Sequence, residues 1–158
     1  ANSQTMKLNL MEVDVVSLMK QVKLELSEQL SDSGVDFRFQ LPEKRVALTL
    51  DSEKTYRIFE NLLANIIKYS MPNTRVYIEI GQEGQEAGVR MKNISAAELN
   101  FDSEEITERF VRGDSARNTE GSGLGLAIVK SFTELQGGKL KITTEADLFK
   151  AELRFRLK

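Results

Sequence analysis

The chain of 158 residues has no cysteine, no histidine and no tryptophan, and only two prolines. Without cysteine there is no disulfide framework, no thiol nucleophile and no thiolate metal site, which fits a reducing compartment. Without histidine there is no His-based triad, no imidazole zinc site and no phosphohistidine within this chain. No apolar run approaches the ~20 residues that span a bilayer, and the opening "ANSQTMK" lacks the apolar stretch of a signal peptide. Residues 1–5 read as a linker or a cloning remnant. An excess of charge is missing too, since 22 Lys and Arg face 24 Asp and Glu, for a formal net charge of −2. That leaves no basic field for nucleic acid and no basic cluster for direct membrane contact. With no repeats and no Pro-rich linker, residues 6–158 read as a single domain, long enough for a proper core and too short for two.

What is present is a clear alternation of helix and strand patterns. After a short "KLNL" segment, Val15, Leu18, Met19, Val22, Leu26 and Leu30 recur at helical spacing behind Asp14, a suitable N-cap, and "SDSG" ends that helix. Val35, Phe37, Phe39 and Leu41 alternate as a strand, "VALTL" follows as another, and Asp51 caps a second helix that runs to about Tyr69 and stops at "SMPN". Val76, Ile78 and Ile80, then Val89 and Met91, flank the turn-rich "GQEGQEAG" and predict a hairpin with a long loop. Residues 96–123 are polar and irregular apart from a short helix over "SEEITERF". A third long helix carries Leu124, Ala127, Ile128, Phe132 and Leu135 on one side and ends at Gly137 and Gly138. Two strands close the chain, the last alternating Phe149, Ala151, Leu153, Phe155 and Leu157. The sum is an α/β (α+β) two-layer sandwich: a mixed, largely antiparallel sheet with three long helices on one face.

Two stretches carry chemistry. In "FENLLANIIKYS", Asn61, Asn65 and Lys68 stand at i, i+4 and i+7 and share one helical stripe, flanked by Ile58, Leu62 and Tyr69 on one side and Leu63, Ile66 and Ile67 on the other. Asn is a poor helix former, so two on one face need a reason. Amide oxygens can ligate Mg²⁺ beside phosphate oxygens, and a nearby Lys can neutralise a phosphoryl group. In "EGSGLGLAIVK", Gly121, Gly123 and Gly125 keep side chains off a helix entrance, where unpaired N–H groups and the positive end of the helix dipole can hold an anion. Taken singly, a solvated face accounts for the asparagine stripe as well as a site does, and a flexible turn accounts for the glycines better than an anion site does.

Taken together, "NLLANIIKYS" and "GSGLGLAIVKSFTELQGG", with "ITERFVRGD" between them, resemble the N box, the second glycine box and the segment before the ATP lid of sensor histidine kinase catalytic domains. Those domains belong to the wider group that includes DNA gyrase, the MutL proteins and the Hsp90 chaperones, with a Bergerat-type ATP-binding fold. The resemblance runs from about "LNLMEVDVVSLMKQV" to the final strands. It implies ATP with Mg²⁺, Asn65 as the metal ligand, Asn61 as an auxiliary contact, Lys68 facing the phosphates and Tyr69 walling the adenine. It further implies a lid at about residues 111–123, with Arg112 for the γ-phosphate, and backbone contacts to the phosphates from Gly121, Ser122, Gly123, Leu124 and Gly125. The implied reaction is transfer of the γ-phosphoryl group to a histidine on a separate dimerisation helix upstream in the same polypeptide. The implied setting is cytoplasmic, with a response regulator as partner of the full-length kinase and attachment to a membrane sensor.

One departure stands out. The family places Asp-x-Gly-x-Gly after the second strand of the middle hairpin, where the Asp accepts a hydrogen bond from the adenine amino group. Here "VRMKNISAAELN" puts Asn93 in the place of the Asp, with Ser95 and Ala97 for the two glycines. Asn93 continues the inward phase of its strand, which predicts a buried, partnered amide. An amide can accept or, after a flip, donate, so Asn93 should relax the choice between adenine and guanine relative to Asp. In the gyrase-like ATPases a Glu one helical turn before the Mg²⁺ Asn activates water. Here that place is Asn61, and Glu60 is rotated ~100° away. Two alternatives to the histidine kinase reading stay open: a degenerate nucleotide-binding signalling module without kinase activity, and a protein-serine kinase of the anti-sigma-factor type, which shares the fold.

Overall fold

A computed structural model describes residues 7–99 and 122–157. Arg112, Gly121, the expected lid up to residue 121, the "SEEITERF" helix and residues 1–5 lie outside the described residues.

Two aspartates fix where the first two long helices begin. Asp14 ends strand β1 (Leu10–Asp14), and its Oδ1 accepts from the Val16 amide at 3.1 Å, which caps helix α1 (Val15–Glu25). Asp51 ends β3 (Ala47–Asp51), and its Oδ1 accepts from the Lys54 amide at 3.1 Å, capping α3 (Ser52–Tyr69). Both caps stand where the sequence puts them. The single helix expected from residue 15 to 30 is instead broken at Leu26 (φ −99°, ψ 14°), and a short α2 (Ser27–Asp32) follows. The break leaves Leu24 73 % exposed and turns Leu30 into the core. Gly34, at φ +77°, then redirects the chain.

Strand β1 is absent from the sequence reading, because Leu10 and Met11 both face solvent and leave no period-2 signal. It pairs antiparallel with β3, from Leu10 opposite Asp51 to Asp14 opposite Ala47, so "VALTL" belongs to a separate two-stranded sheet. The main sheet has five strands: β2 (Asp36–Gln40), β4 (Arg75–Glu83), β5 (Glu86–Ile94), β6 (Lys139–Glu145) and β7 (Leu148–Arg156). Their order is β2-β4-β5-β7-β6; β2 and β4 are parallel and the other pairs antiparallel. The expected long loop at "GQEGQEAG" is a two-residue turn at Gly84 (φ +60°) and Gln85, with Glu83 opposite Glu86. Gly81 and Gly88 pair within the ladder, and the Arg90 guanidinium lies over both.

Alternation on β4, β5 and β7 sends Val76, Ile78, Ile80, Val89, Met91, Ala151, Leu153 and Phe155 into one buried cluster. Ile58, Phe59, Leu62, Leu63 and Ile66 of α3 and Leu126 and Val129 of α4 (Ser122–Leu135) complete it, with Val15, Val16, Met19 and Val22 of α1. Each such side chain contributes about 1.5–3 kcal/mol on burial, which makes this layer contact the main stabilising term. The opposite phase of the same strands carries charge: Arg90 meets Glu79 and Glu152, and Arg154 meets Glu152, Glu86 and Glu83. This is the two-layer arrangement with helices on one face that the sequence predicts.

Candidate functional site

Helix α3 is the spine of the site, and contacts at both ends fix its position. At its start, the Asp51 amide donates to Gln136 Oε1 at 2.6 Å, and Gln136 Nε2 donates to the Phe132 carbonyl at 3.1 Å. This ties the end of α4 to the beginning of α3. The Asp51 carboxylate is buried and also accepts from the Asn9 amide at 2.9 Å, with Lys54 Nζ 3.6 Å away. Burial alone would raise its pKa, but the Asn9 and Lys54 amides and the Lys54 charge outweigh that and hold the carboxyl below its usual range. Asp14 is held low in the same way, its burial outweighed by the Ser17 hydroxyl and the Val46 and Val16 amides.

Ten residues beyond the cap comes the first of the two asparagines. Asn61 Nδ2 donates to the Arg57 carbonyl one turn back at 2.7 Å. Its Oδ1 faces Gly125, where a Cβ would stand 3.3 Å away. Gly125 therefore lies inside the first turns of α4 and allows that helix to approach α3. Glu60 is turned off this line and pairs with Arg57 at 3.7 Å.

One turn on, Asn65 presents a buried side-chain oxygen with no hydrogen-bond partner. A buried acceptor without a donor is expensive, commonly about 1–3 kcal/mol, so the position calls for an explanation. Lys68 is exposed, with its Nζ 5.6 Å from the centre of the Tyr69 ring. Tyr69 is half-buried, and its carbonyl accepts from the Ala96 amide at 2.8 Å.

At the end of the helix Ser70 and Ser95 form a β-bridge, which fastens α3 to the end of β5. Asn93 is 3 % exposed, and its Nδ2 donates to Ser70 Oγ at 3.0 Å. The predicted buried, partnered amide is found, but only its nitrogen is partnered, because Asn93 Oδ1 is the second buried acceptor without a donor. Ser95, in the place of a family glycine, is buried and accepts from the Ala97 amide at 3.2 Å. At 1.5 Å per residue, the Asn61–Gly125 contact and the Ser70–Asn93 contact lie about 13 Å apart along α3, with Asn65 between them.

Of the residues singled out in the sequence, Asn61, Asn65, Lys68, Tyr69, Asn93 and Gly125 are thus gathered along one helix. Ser122, Gly123 and Leu124 open α4. Ser70 and Gln136 were missed. The first reads as an ordinary helix stop and the second as a surface residue before two glycines, and only the tertiary pairing gives either a role. Among the described residues no group of His, Cys, Asp and Glu side chains could hold a metal ion. The unpaired Asn65 oxygen nonetheless suits a Mg²⁺ that takes its remaining ligands from phosphate and water.

Residues 50–158 match the family model described as histidine kinase-, DNA gyrase B-, and HSP90-like ATPase. The chain is 34% identical over 138 residues to the probable sensor protein PcoS of Escherichia coli, covering 85% of this chain and 29% of PcoS. It is 32% identical over 141 residues to the sensor protein VanS of Enterococcus faecium, covering 88% of this chain and 36% of VanS. It therefore spans about a third of the length of these relatives. Among solved structures, the nucleotide-free catalytic domain of the histidine kinase ThkA superposes with a TM-score of 0.80 at 20% identity, covering 96% of each chain. The matched segment takes in the capped helix with both asparagines, the glycine-led helix and the whole of the five-stranded sheet except β2, and it places this chain in the histidine kinase-, DNA gyrase B- and HSP90-like ATPase family.

Proposed function

We propose that the chain is the ATP-binding catalytic domain of a sensor histidine kinase, which presents the γ-phosphoryl group of ATP to a histidine on a separate dimerisation domain. The observation that carries this reading is the buried, unpaired Asn65 oxygen in the middle of α3. Asn65 would hold Mg²⁺, which when bound neutralises charge on the phosphate oxygens. Lys68, exposed one turn on, adds a positive charge at the same stripe, and Arg112 is assigned to the γ-phosphate. The opening turn of α4, at Ser122, Gly123 and Leu124, offers backbone N–H groups to the phosphates. Tyr69 and Asn93 are assigned to the base.

The side chains around Asn65 favour transfer over hydrolysis. One turn before it, where a carboxylate would activate water, stands Asn61, with its nitrogen bonded to the Arg57 carbonyl. The neighbouring carboxylate, Glu60, is engaged by Arg57. A kinase needs no base from this helix if the partner supplies the nucleophile, and positioning with charge neutralisation is then the whole of the work. The partners are an upstream phosphoacceptor domain and, through the full-length protein, a response regulator. The setting is cytoplasmic because ATP is there; no described helix is long and apolar enough to cross a membrane. Asn93 and buried Ser95 in place of the family's Asp and Gly support a second reading, a nucleotide-binding signalling module without kinase activity.

Mixing the chain with labelled ATP and a helical hairpin that carries an acceptor histidine decides between them. Acid-labile label on the hairpin, and none on the histidine-free chain itself, is the expected result. Binding of ATP with no label on any such acceptor supports the non-catalytic module.

A further inference from the structure

The Ser70–Asn93 contact has a property that a carboxylate at position 93 would lack. Asn93 is 3 % exposed, its Nδ2 donates to Ser70 Oγ at 3.0 Å, and its Oδ1 is a buried acceptor with no donor. Ser70 is itself buried, and its hydroxyl accepts from Asn93 Nδ2. A hydroxyl both accepts and donates, and a primary amide does the same at its two ends. The pair can therefore satisfy itself in two ways. In the first, Nδ2 donates to Ser70 Oγ and Oδ1 is left to accept. In the second, the amide is turned over, the Ser70 hydroxyl donates to Oδ1, and Nδ2 is left to donate.

We propose that Ser70 and Asn93 act together as a two-way reader of the purine 6-position, so that the site takes both 6-amino and 6-oxo purine nucleoside triphosphates. This rests on the assignment of Asn93 to the base made above. With adenine, the exocyclic amino group donates to the free Oδ1. With a 6-oxo purine, the turned amide donates Nδ2–H to the ring carbonyl oxygen. In both cases every polar atom of the pair is paired, which is what burial demands. A carboxylate at 93 can only accept, from the Ser70 hydroxyl and from an amino group, and it repels a carbonyl oxygen. The local backbone keeps the pair together: Ser70 bridges Ser95, and the Met71 amide donates to the Ile94 carbonyl at 2.8 Å. Ser70 is thus a positioning residue, which supports either orientation of the Asn93 amide.

The test is calorimetric titration of Mg²⁺–ATP and Mg²⁺–ITP, which carry an amino and an oxo group at position 6, into the native chain and three variants. The native chain should bind the two within about threefold of each other. Asn93→Asp should tighten ATP, weaken ITP and widen the ratio to about tenfold or more. Ser70→Ala should weaken both by a similar factor, about three- to tenfold, with the ratio unmoved, because it removes the shared partner of either amide orientation. Ser70→Thr, which keeps the hydroxyl, should restore both. If Ser70→Ala does not fold, as thermal melting will show, Asn93→Asp and Ser70→Thr decide. A native preference for ATP that Asn93→Asp leaves unchanged overturns the two-way reader while leaving nucleotide binding intact. So does a Ser70→Ala ratio that departs from the native one. Failure of the folded native chain to bind either nucleotide would instead overturn the nucleotide site itself, and the reader with it.

Discussion

The side-chain oxygen of Asn61 lies where Gly125 has no side chain, 3.3 Å from the point a Cβ would occupy. The glycine in the opening turns of α4 and the asparagine on α3 are thus complementary in shape. Alanine at 125 would gain up to about 1 kcal/mol of helix propensity and spend much of it in pushing Asn61 aside by a few tenths of an ångström. Gly125→Ala should therefore change stability by less than about 1 kcal/mol. In an Asn61→Ala background, where the space is clear, the same change should stabilise by several tenths more. A double-mutant cycle in urea measures this coupling, and strict additivity would show that the two helices do not meet there.

Gly138 is a different case. A Cβ there would fall 2.5 Å from the Phe155 ring and 2.9 Å from the Arg154 carbonyl, and Phe155 is buried. Neither neighbour can move cheaply. Gly138→Ala should cost about 2 kcal/mol, or roughly 4–8 °C in Tm for a domain of this size. Gly137, at φ +83°, is free of such contacts, and alanine there is strained by the backbone alone.

Asn65→Ala separates binding from folding. The substitution removes a buried oxygen that has no partner, so the free chain should keep its stability or gain a little. Mg²⁺-dependent ATP binding should fall by about tenfold or more, as calorimetry with and without Mg²⁺ would show. Identical binding by both proteins would make the asparagine stripe structural.

Acid should weaken the fold through Asp51. Its folded pKa lies below the ordinary carboxylate value, so its stabilisation is complete above about pH 4 and is lost as pH falls through the lower, folded value. Asn at this position can still cap the helix through its one oxygen but loses the acceptor for the Asn9 amide and the Lys54 charge. Asp51→Asn should cost about 1 kcal/mol at pH 7 and progressively less as pH falls below about 4. Denaturant melts of both proteins across that range check it, and a gap that stays constant with pH would assign the loss to packing.

The sequence shows most clearly those features whose cause is local. Asp14 and Asp51 announce their helices because a capping carboxylate bonds an amide two or three residues on. Residues 149–155 announce their strand because every second side chain is buried. The hairpin turn was misjudged for a physical reason: Gln82, Glu83 and Gln85 are exposed, so the polar run there looks like a loop. The ladder to its last pair is held by backbone bonds, to which composition is blind. The site divides in the same way. Asn61 and Asn65 are visible because they violate helix preference, whereas Ser70 acquires meaning only from Asn93, 23 residues away.

Helix α3 is held at its first residues by Asp51 and Gln136, from two other elements, and at its last by the bridge from Ser70 to β5. A helix secured at both termini cannot fray one turn at a time. Its amide protons exchange with solvent only in openings large enough to release α4 or the end of β5 along with it. The stripe of Asn61, Asn65 and Lys68 thus sits on one of the last parts of the molecule to open.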